Sequence, residues 1–292
     1  MPAALPIGEA RHGSATRLHL FHTGTMRQSR DFDARPVRGA RITDGGWPFA
    51  KGDFVAVPIP AYLVEHPDAG LVLIDTGLHS SVAVDPRENL GRRGAFFMDP
   101  CMREGQGLLD QLRSRDIDPA QIRLVILTHL HVDHVGAATE FPQATFFVDE
   151  CEWRAARRAE DNPSYYLPQF DVALDWRLIR VTDAQTGPIA GFSRGADLLG
   201  DGSVILVPTP GHSAGHVSVL IRLAGRDVLI AADAAITRRA IDQGTMPMYL
   251  HDEKAFWASL SEIRSWARRH SHALVIPGHD SAEWDRLEPV YE

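Results

Sequence analysis

Cysteine is scarce in this chain, and its scarcity excludes a scaffold held together by disulfides. The 292 residues include only Cys101 and Cys151, whereas small disulfide-stabilised folds carry several cysteine pairs. We therefore expect a reducing, cytoplasmic location with two free thiols. Neither cysteine lies near a histidine cluster in the sequence, so we do not expect either to bind metal.

Long apolar runs and an excess of positive charge are also missing. No apolar run approaches the ~20 residues that a membrane-spanning helix needs, and residues 1–10 lack the pattern of a secretion signal. The formal net charge of −8 disfavours a nucleic-acid partner, which requires a basic surface. The composition, 44% hydrophobic and 23% charged, is typical of a globular protein with a sizeable core.

Apolar segments of strand length alternate with segments of helical periodicity, and this alternation predicts a layered α/β protein. The predicted strands are 18–22, 54–64, 71–74, 124–128, 145–148, 204–208, 217–223, 228–231 and 273–276. The predicted helices are 107–115, 150–160 and one that begins after Asp252. The 150–160 helix is expected to be amphipathic through Cys151, Ala155 and Ala159, and Trp257 and Trp266 are expected to flank the apolar stripe of the last helix. We expect one domain over residues 1–292, with residues 1–16 as an N-terminal extension.

Two stretches, residues 78–103 and 161–177, lack hydrophobic periodicity and are predicted to be long surface loops. Loops of this length tend to be functional lids or flexible segments. Their aromatic residues include Phe96, Phe97, Tyr165 and Tyr166. These side chains either pack on the core or form the walls of a substrate pocket.

Three histidines and an aspartate follow the predicted strand 124–128 within six residues. The spacing of two places His129 and His131 on the same side of an extended segment, so both rings can reach one metal ion. Asp133 and His134 lie just past the next turn and can reach a second ion. The alternative is a solvated histidine-rich loop, which would need no further ligands elsewhere in the chain.

Three further polar residues each follow an apolar strand: His212, Asp233 and His279. Together with the cluster they make seven nitrogen and oxygen ligands, which suit two metals and are too many for one. A pair of divalent ions lowers the pKa of a nearby water, so the pattern predicts a catalytic centre rather than a structural one. His216 is interpreted as a structural residue at the start of a strand.

Asp75 ends the strand 71–74, directly before Thr76 and Gly77. One interpretation is an Asx-type turn, in which the carboxylate bonds its own backbone. The other is that Asp75 accepts a hydrogen bond from a metal-binding histidine and thereby orients the imidazole.

The combined motif resembles the metallo-β-lactamase-fold superfamily. The residues that carry the resemblance are His129-x-His131-x-Asp133-His134, His212, Asp233 and His279. It covers the chain from about Leu18 onward and implies a four-layer αβ/βα sandwich with two divalent metals, most simply zinc, at one edge. It also implies that His129, His131 and His212 hold one metal, that Asp133, His134 and His279 hold the other, that Asp233 bridges them, and that Asp75 supports a ligand histidine.

Within the superfamily the chain is most similar to the N-acyl homoserine lactone lactonases. The similar stretches are 63–64, 74–77, 128–136, 209–216 and 277–280. This resemblance implies a quorum-quenching hydrolase that opens a small-molecule lactone, with Asp133 or Asp233 moving the proton. It is also consistent with a homodimer in which one subunit helps to wall the pocket of the other.

One position departs from these lactonases, which usually carry a tyrosine three residues after the bridging aspartate. This chain has Ile236 there, and loss of such a donor removes roughly 3 kcal/mol of transition-state stabilisation. The candidates to replace it are Tyr165, Tyr166, Tyr249 and His251. The predicted pocket residues are Met26, Phe96, Phe97, Tyr165, Tyr166, Ile236 and Tyr249.

Three alternatives keep the fold but change the activity: hydrolysis of a different lactone, hydrolysis of a different bond, or no hydrolysis. A lactonase could act on a different lactone, and a thioester hydrolase like glyoxalase II could use Arg92-Arg93 or Arg238-Arg239 to bind glutathione carboxylates. A β-lactamase-like amidase belongs with the thioester hydrolase in the second alternative. The third alternative, from another class, is a non-hydrolytic member such as an iron redox protein or a ligand sensor.

Overall fold

A computed structural model of the protein describes residues 5–7, 13–29, 32, 35–36, 54–159, 162–181 and 187–292. Its strands are β1 (Arg17–Ser29), β2 (Arg35–Pro36), β3 (Phe54–His66), β4 (Gly70–Ile74), β5 (Leu124–Ile126), β6 (Thr145–Asp149), β7 (Asp175–Ile179), β8 (Ala196–Asp197), β9 (Val204–Pro208), β10 (Val217–Arg222), β11 (Asp227–Ala232), β12 (Thr245–Met246), β13 (Leu274–Pro277) and β14 (Val290–Tyr291). Its α-helices are α1 (Pro86–Met98), α2 (Leu108–Ser114), α3 (Glu150–Ala156), α4 (Arg238–Gln243), α5 (Glu253–Arg269) and α6 (Ser281–Trp284). Short 3₁₀ helices cover Ser80–Ala83, Pro119–Gln121, Ala138–Glu140 and Leu167–Gln169.

The strands form two main sheets. The larger sheet has the order β14-β1-β3-β4-β5-β6-β7, and the smaller has the order β13-β11-β10-β9-β8. Strands β4 to β7 are parallel neighbours in the first sheet. In the second sheet β9 and β11 both run antiparallel to β10, and β13 runs parallel to β11. Because strands of the same direction end at the same edge, the loops after them lie close together there.

Alternation of side chains along the strands divides the core into layers. Val64 and Ile74 of the larger sheet share one buried cluster with Val219 and Ile230 of the smaller sheet. Leu63 points to the opposite face of β3 and packs in a second cluster that includes side chains of α2 and α3. The larger sheet is therefore covered by the other sheet on one face and by helices on the other.

The smaller sheet repeats this arrangement. Leu220 and Leu229 turn away from the first sheet and pack against Phe256, Ile263 and Trp266 of α5. The α5 helix begins at the N-cap Asp252, whose carboxylate accepts a hydrogen bond from Ala255 N at 2.9 Å. The order helix, sheet, sheet, helix confirms the predicted αβ/βα sandwich.

The prediction of an irregular loop over residues 78–103 is wrong, because most of this stretch is helical. Asp85 caps α1 by accepting a hydrogen bond from Arg87 N, and Pro86 occupies the first turn, which is a common way to begin a helix. Gly91 then interrupts the helix with a φ of 67°. This break destroys the hydrophobic periodicity on which helix prediction depends.

Three smaller predictions also need correction. Strand β1 continues past His22 to Ser29, because the sequence around Gly24 makes an irregularity in the β1–β3 ladder rather than a turn. The buried face of α3 carries Glu152 and Ala156, whereas Cys151 is exposed. Trp266 does not flank the core but lies fully inside it.

Parts of the predicted N-terminal extension lie against the smaller sheet. Ile7 N donates to Leu198 O, and Ala15 N donates to Arg222 O, both at 2.8 Å. Residues 1–4 and 8–12 lie outside the described residues, so one domain over 1–292 stays a prediction. Among the residues that the structure describes, no helix has the length and apolar character needed to cross a membrane.

Gly211, which precedes a predicted metal ligand, should not tolerate a side chain. A Cβ atom there would clash with the backbone N and Cα of Phe256 at the start of α5. We expect Gly211→Ala to lower the free energy of unfolding by about 3 kcal/mol, since neither backbone segment can move cheaply. Urea denaturation measures this loss.

Gly225→Ala is the matched control for this substitution. A Cβ atom at Gly225 would meet its nearest neighbour, Glu292 O, at an ordinary 3.6 Å, so the cost should stay below about 0.5 kcal/mol. Equal losses in the two variants would contradict the close packing between the loop and α5.

Candidate metal centre

All seven predicted ligands meet at one edge of the two sheets. The first group comprises His129, His131, His212 and Asp233, and the second comprises Asp133, His134 and His279; within each group one potential ligand atom per residue lies within 4.8 Å of the others. His129, His134 and His279 are almost completely buried. The convergence follows from the topology, because these residues succeed β5, β9, β11 and β13.

The loop after β5 makes a tight turn that separates the two groups. His131 O accepts hydrogen bonds from His134 N at 2.9 Å and from Val135 N at 3.1 Å. The extended stretch before the turn carries His129 and His131, and the turn itself carries Asp133 and His134. One short segment can therefore supply ligands to two neighbouring positions.

Buried polar atoms without a hydrogen-bond partner point into the centre. They are His129 Nε2, His134 Nε2, His279 Nε2 and Asp233 Oδ1. An unpaired buried polar atom costs about 1–3 kcal/mol, so several together at one place indicate a missing partner common to all of them. The donor set of imidazole nitrogens and carboxylate oxygens fits divalent metal ions such as zinc.

The other ring nitrogens of these histidines are held by the protein. His279 Nδ1 donates to Pro58 O at 2.8 Å, and His134 Nδ1 donates to Asp75 Oδ2 at 2.7 Å. His129 Nδ1 lies 3.0 Å from Thr128 Oγ1. With the proton on Nδ1, each Nε2 presents a lone pair to the centre, which is the form that binds metal.

Asp233 lies between the two groups. Its Oδ2 is 3.1 Å from His212 Nε2, whereas its Oδ1 is 3.2 Å from His279 Nε2. His216 supports the backbone of Asp233, because its Nε2 accepts a hydrogen bond from Asp233 N at 3.1 Å. The other ring nitrogen of His216, Nδ1, lies 2.9 Å from Thr209 Oγ1. The two oxygens of one carboxylate thus face different groups, as a bridging ligand requires.

Asp75 ties the ends of β4 and β5 together. Its Oδ1 accepts from Thr128 N and its Oδ2 from Thr128 Oγ1, both at 2.8 Å. Oδ2 also accepts from His134 Nδ1 at 2.7 Å. These contacts lie far from Asp75 in sequence, so the geometry favours support of a ligand histidine over a local Asx-type turn.

Burial controls the charge of the imidazoles. It lowers the pKa of His131 and of His212 to about 3, against the opposing effect of the Asp233 carboxylate. Burial also lowers the pKa of His134, but the carboxylates of Asp133 and Asp75 outweigh it and the net pKa is raised. The imidazoles of the first group are therefore neutral and can bind a cation, whereas a cation at His134 must compete with a proton.

Three of the predicted pocket residues lie beside the loop after β5. The ring of Tyr165 lies 4.8 Å from that of His131. Met26 and Tyr166 pack against the cluster that contains Val132, the residue between His131 and Asp133. A substrate-pocket role for these three side chains stays a prediction.

Among the remaining pocket residues, Ile236 lies beside the second group, because its carbonyl oxygen accepts a hydrogen bond from His279 N at 2.8 Å, whereas Phe96, Phe97 and Tyr249 are exposed. Phe96 and Phe97 are 67% and 50% exposed and lie against each other at 5.8 Å. They line a surface cleft of about 880 Å³, and none of the seven candidate ligands lines it. Tyr249 is 58% exposed beside Phe32, whereas Ile236 is only 1% exposed and offers almost no surface to a substrate.

Glu152 was not predicted to be a functional residue, yet it is fully buried beside the centre. Asp149 caps α3, so the spacing Asp149-x-x-Glu152 predicts a capping box in which the glutamate turns back to its own helix. Instead its carboxylate accepts from Leu130 N and Gly215 N. Contacts between such distant segments leave no local signal in the sequence.

Similarity to known proteins identifies the family of this chain. The family model described as "Metallo-beta-lactamase superfamily" matches residues 55–279. The chain belongs to this superfamily. The predicted fold, the resemblance and the class of metal-dependent hydrolase are confirmed at that level.

Relatives in the superfamily match nearly the whole chain. N-acyl homoserine lactonase AttM of Azorhizobium caulinodans is 33% identical over 272 residues, which are 92% of this chain and 94% of the relative. The AttM lactonase of Agrobacterium fabrum is 31% identical over 280 residues, 94% and 97% of the two chains. The structure of an N-acyl homoserine lactone hydrolase with bound N-hexanoyl-L-homoserine superposes with a TM-score of 0.74 at 22% identity, covering 94% of this chain and 97% of the other.

Loss of the Asp75 charge should weaken the second ligand group selectively. Asp75→Asn keeps the shape and can keep the left-handed φ of 54°, but an amide orients the His134 ring less strongly than a carboxylate. We expect zinc affinity at Asp133, His134 and His279 to fall about 10- to 100-fold. Competition with a chromophoric chelator measures the two affinities separately.

Asp99→Asn provides a control, because Asp99 is an exposed residue that also has a positive φ of 44°. Its ion pair with Arg27 lies at the surface, so both zinc affinities should match the wild type. An Asp75→Asn protein with two unchanged affinities would contradict the proposed support of His134.

Proposed function

We propose that this protein is a dinuclear metal-dependent lactonase that opens the ring of an N-acyl homoserine lactone. The observation that carries the proposal is the meeting of seven nitrogen and oxygen ligands in two adjoining groups. Relatives named as N-acyl homoserine lactonases, 30–33% identical over nearly the whole chain, support the choice of substrate.

The first metal would be held by His129, His131 and His212, the second by Asp133, His134 and His279, and Asp233 would bridge them. Zinc suits this mixture of imidazole and carboxylate ligands. A pair of such ions, when bound, supplies Lewis acidity and lowers the pKa of an adjacent water. The two oxygens of Asp233, directed at different groups, support the bridging role.

Proton movement falls to the two carboxylates of the centre. Opening of a lactone requires a proton for the departing alkoxide oxygen, and a carboxylate within hydrogen-bond reach can carry it. Asp133 is 6% exposed, and its Oδ2 lies 3.4 Å from His279 Nε2. Asp133 and Asp233 are therefore the groups that we assign to proton transfer.

The apolar acyl chain would lie along Met26 and Tyr166, which adjoin the loop that carries His131 and Asp133. The side chains of Phe96 and Phe97 are 67% and 50% exposed, and an exposed aromatic patch of this kind supports the expected homodimer. Cys101 and Cys151 are both exposed and form no disulfide with each other, which supports the expected reducing, cytoplasmic location.

Hydrolysis of acyl homoserine lactones tests the proposal directly. Zinc-loaded protein should release acid, detected with a pH indicator, from at least one member of a series of acyl-chain lengths. His131→Ala and Asp233→Ala should each lower kcat/KM at least about 100-fold, because each removes a ligand. His272→Ala, which removes an exposed histidine outside both ligand groups, should leave it unchanged.

The same panel separates the alternatives. Thiol release from S-lactoylglutathione without lactone turnover would replace the lactonase with a thioester hydrolase. Turnover of a β-lactam alone would indicate an amidase. Two bound zinc ions per chain with no turnover of any substrate would favour a ligand sensor.

A further inference from the structure

Glu152 is a buried carboxylate that the proposed reaction does not use. It lies in the first turn of α3 and is 0% exposed. Among the described residues no lysine, arginine or histidine forms a salt bridge with it. Because a buried charge without hydrogen bonds costs several kcal/mol, the groups that donate to Glu152 explain its presence.

The carboxylate joins the two loops that carry the histidines of the first group. Oε1 accepts from Leu130 N at 3.1 Å, and Leu130 stands between His129 and His131. Oε2 accepts from Gly215 N at 2.9 Å, in the loop that carries His212. One loop follows β5 of the larger sheet and the other follows β9 of the smaller sheet, so Glu152 connects the two sheets at the centre.

The atoms around Glu152 and Gly215 are closely packed. A Cβ atom at Gly215 would lie 2.8 Å from Glu152 Cβ and from Asp149 Oδ1, and it would clash with Glu152 N. Val217 N also donates to Thr128 O at 2.9 Å, directly between the two loops. The separation of His212 from His129 and His131 is therefore fixed by close contact as well as by hydrogen bonds.

Glu152 also holds Tyr165. The phenol donates to Oε1 at 3.0 Å, and the ring meets that of His131 edge to face, with 4.8 Å between the ring centroids and 71° between the planes. The second ligand group has a different set of supports, since Asp75 holds His134 and Pro58 O holds His279. Asp75 thus bonds a ligand ring of the second group directly and reaches the first group only through Thr128 Oγ1, beside His129 Nδ1. Glu152 contacts the backbone of both first-group loops.

We propose that Glu152 is a positioning residue that sets the geometry of the first metal group and fixes Tyr165 against His131. This inference rests on the proposed two-metal centre. It assigns a different main carboxylate support to each half of the centre, Glu152 to the first group and Asp75 to the second.

Glu152→Gln tests this assignment by metal binding rather than by activity. The amide keeps the size of the side chain, but its NH₂ faces one of the backbone N–H donors and cannot accept from it. Metal-free protein titrated with zinc against a chromophoric chelator should lose about 10- to 100-fold in affinity at one site. The other site should keep the wild-type affinity.

Reference variants identify which site is weakened. His131→Ala removes a first-group ligand and His279→Ala a second-group ligand, so the absorption spectra of their Co²⁺ complexes describe the surviving group in each case. At one equivalent of Co²⁺, Glu152→Gln should give the spectrum of His131→Ala, and Asp75→Asn should give that of His279→Ala. Tyr165→Phe, which leaves both backbone contacts of Glu152 intact, should bind two zinc ions with wild-type affinity.

Asp201→Asn is the matched control for loss of a buried carboxylate. The Asp201 side chain is 3% exposed and lies 3.0 Å from His66 Nε2. It accepts backbone hydrogen bonds from Gly13 and Ser203, also at 3.0 Å. This substitution should lower the melting temperature without changing either zinc affinity. Glu152→Asp, which keeps the charge but shortens the reach, replaces Glu152→Gln if that protein does not fold, with the same site-selective loss expected.

Two results would overturn the inference: unchanged zinc affinities in the Glu152 variants, or equal weakening of both sites. The failure of the lactonase proposal would look different. A wild-type protein that binds two zinc ions but hydrolyses no lactone would refute the lactonase proposal alone. The site-selective effect of the Glu152 substitutions is measured by metal binding, without any substrate.

Discussion

Imidazole nitrogens that are buried with their lone pairs facing one another repel unless a cation or a proton lies between them. His212 Nε2 and His131 Nδ1 lie 2.9 Å apart, close enough for one neutral ring to donate to the other, and three more Nε2 atoms in the centre lack a hydrogen-bond partner. Burial keeps the His131 and His212 rings neutral, and a neutral imidazole carries one N–H and one nitrogen lone pair, so each ring can offer that lone pair to a metal cation. The rest of the fold serves to hold these atoms in place.

The sandwich can do this because most of its core is independent of the centre. The cluster between the sheets and the two clusters under the helices consist of aliphatic and aromatic side chains that contain no ligand. The polar contacts that orient the ligands are confined to the strand ends, where Asp75, Glu152 and His216 connect loops. Stability and metal chemistry are thereby separated in space, although both depend on the same strands.

The ligands could be predicted from sequence because each follows its own apolar strand, and because His129 to His134 form a compact local pattern. Their supports could be predicted only in part. Asp75 ends a strand and is conspicuous, whereas Glu152 sits in a short helix whose polar spacing imitates a capping box. The helix α1 was hidden by the break at Gly91. Long-range hydrogen bonds and local breaks of periodicity are the two physical reasons for these failures.

Ile236 stands where the resemblance to the lactonases leads us to expect a tyrosine. Ile236 carries no hydroxyl and is buried, so it cannot supply a donor to a substrate carbonyl. Tyr165 is the tyrosine whose ring meets a ligand histidine, yet a phenol has a single O–H, and here that proton is donated to Glu152. The hydroxyl is thus engaged with Glu152, and Tyr165 meets His131 through its ring.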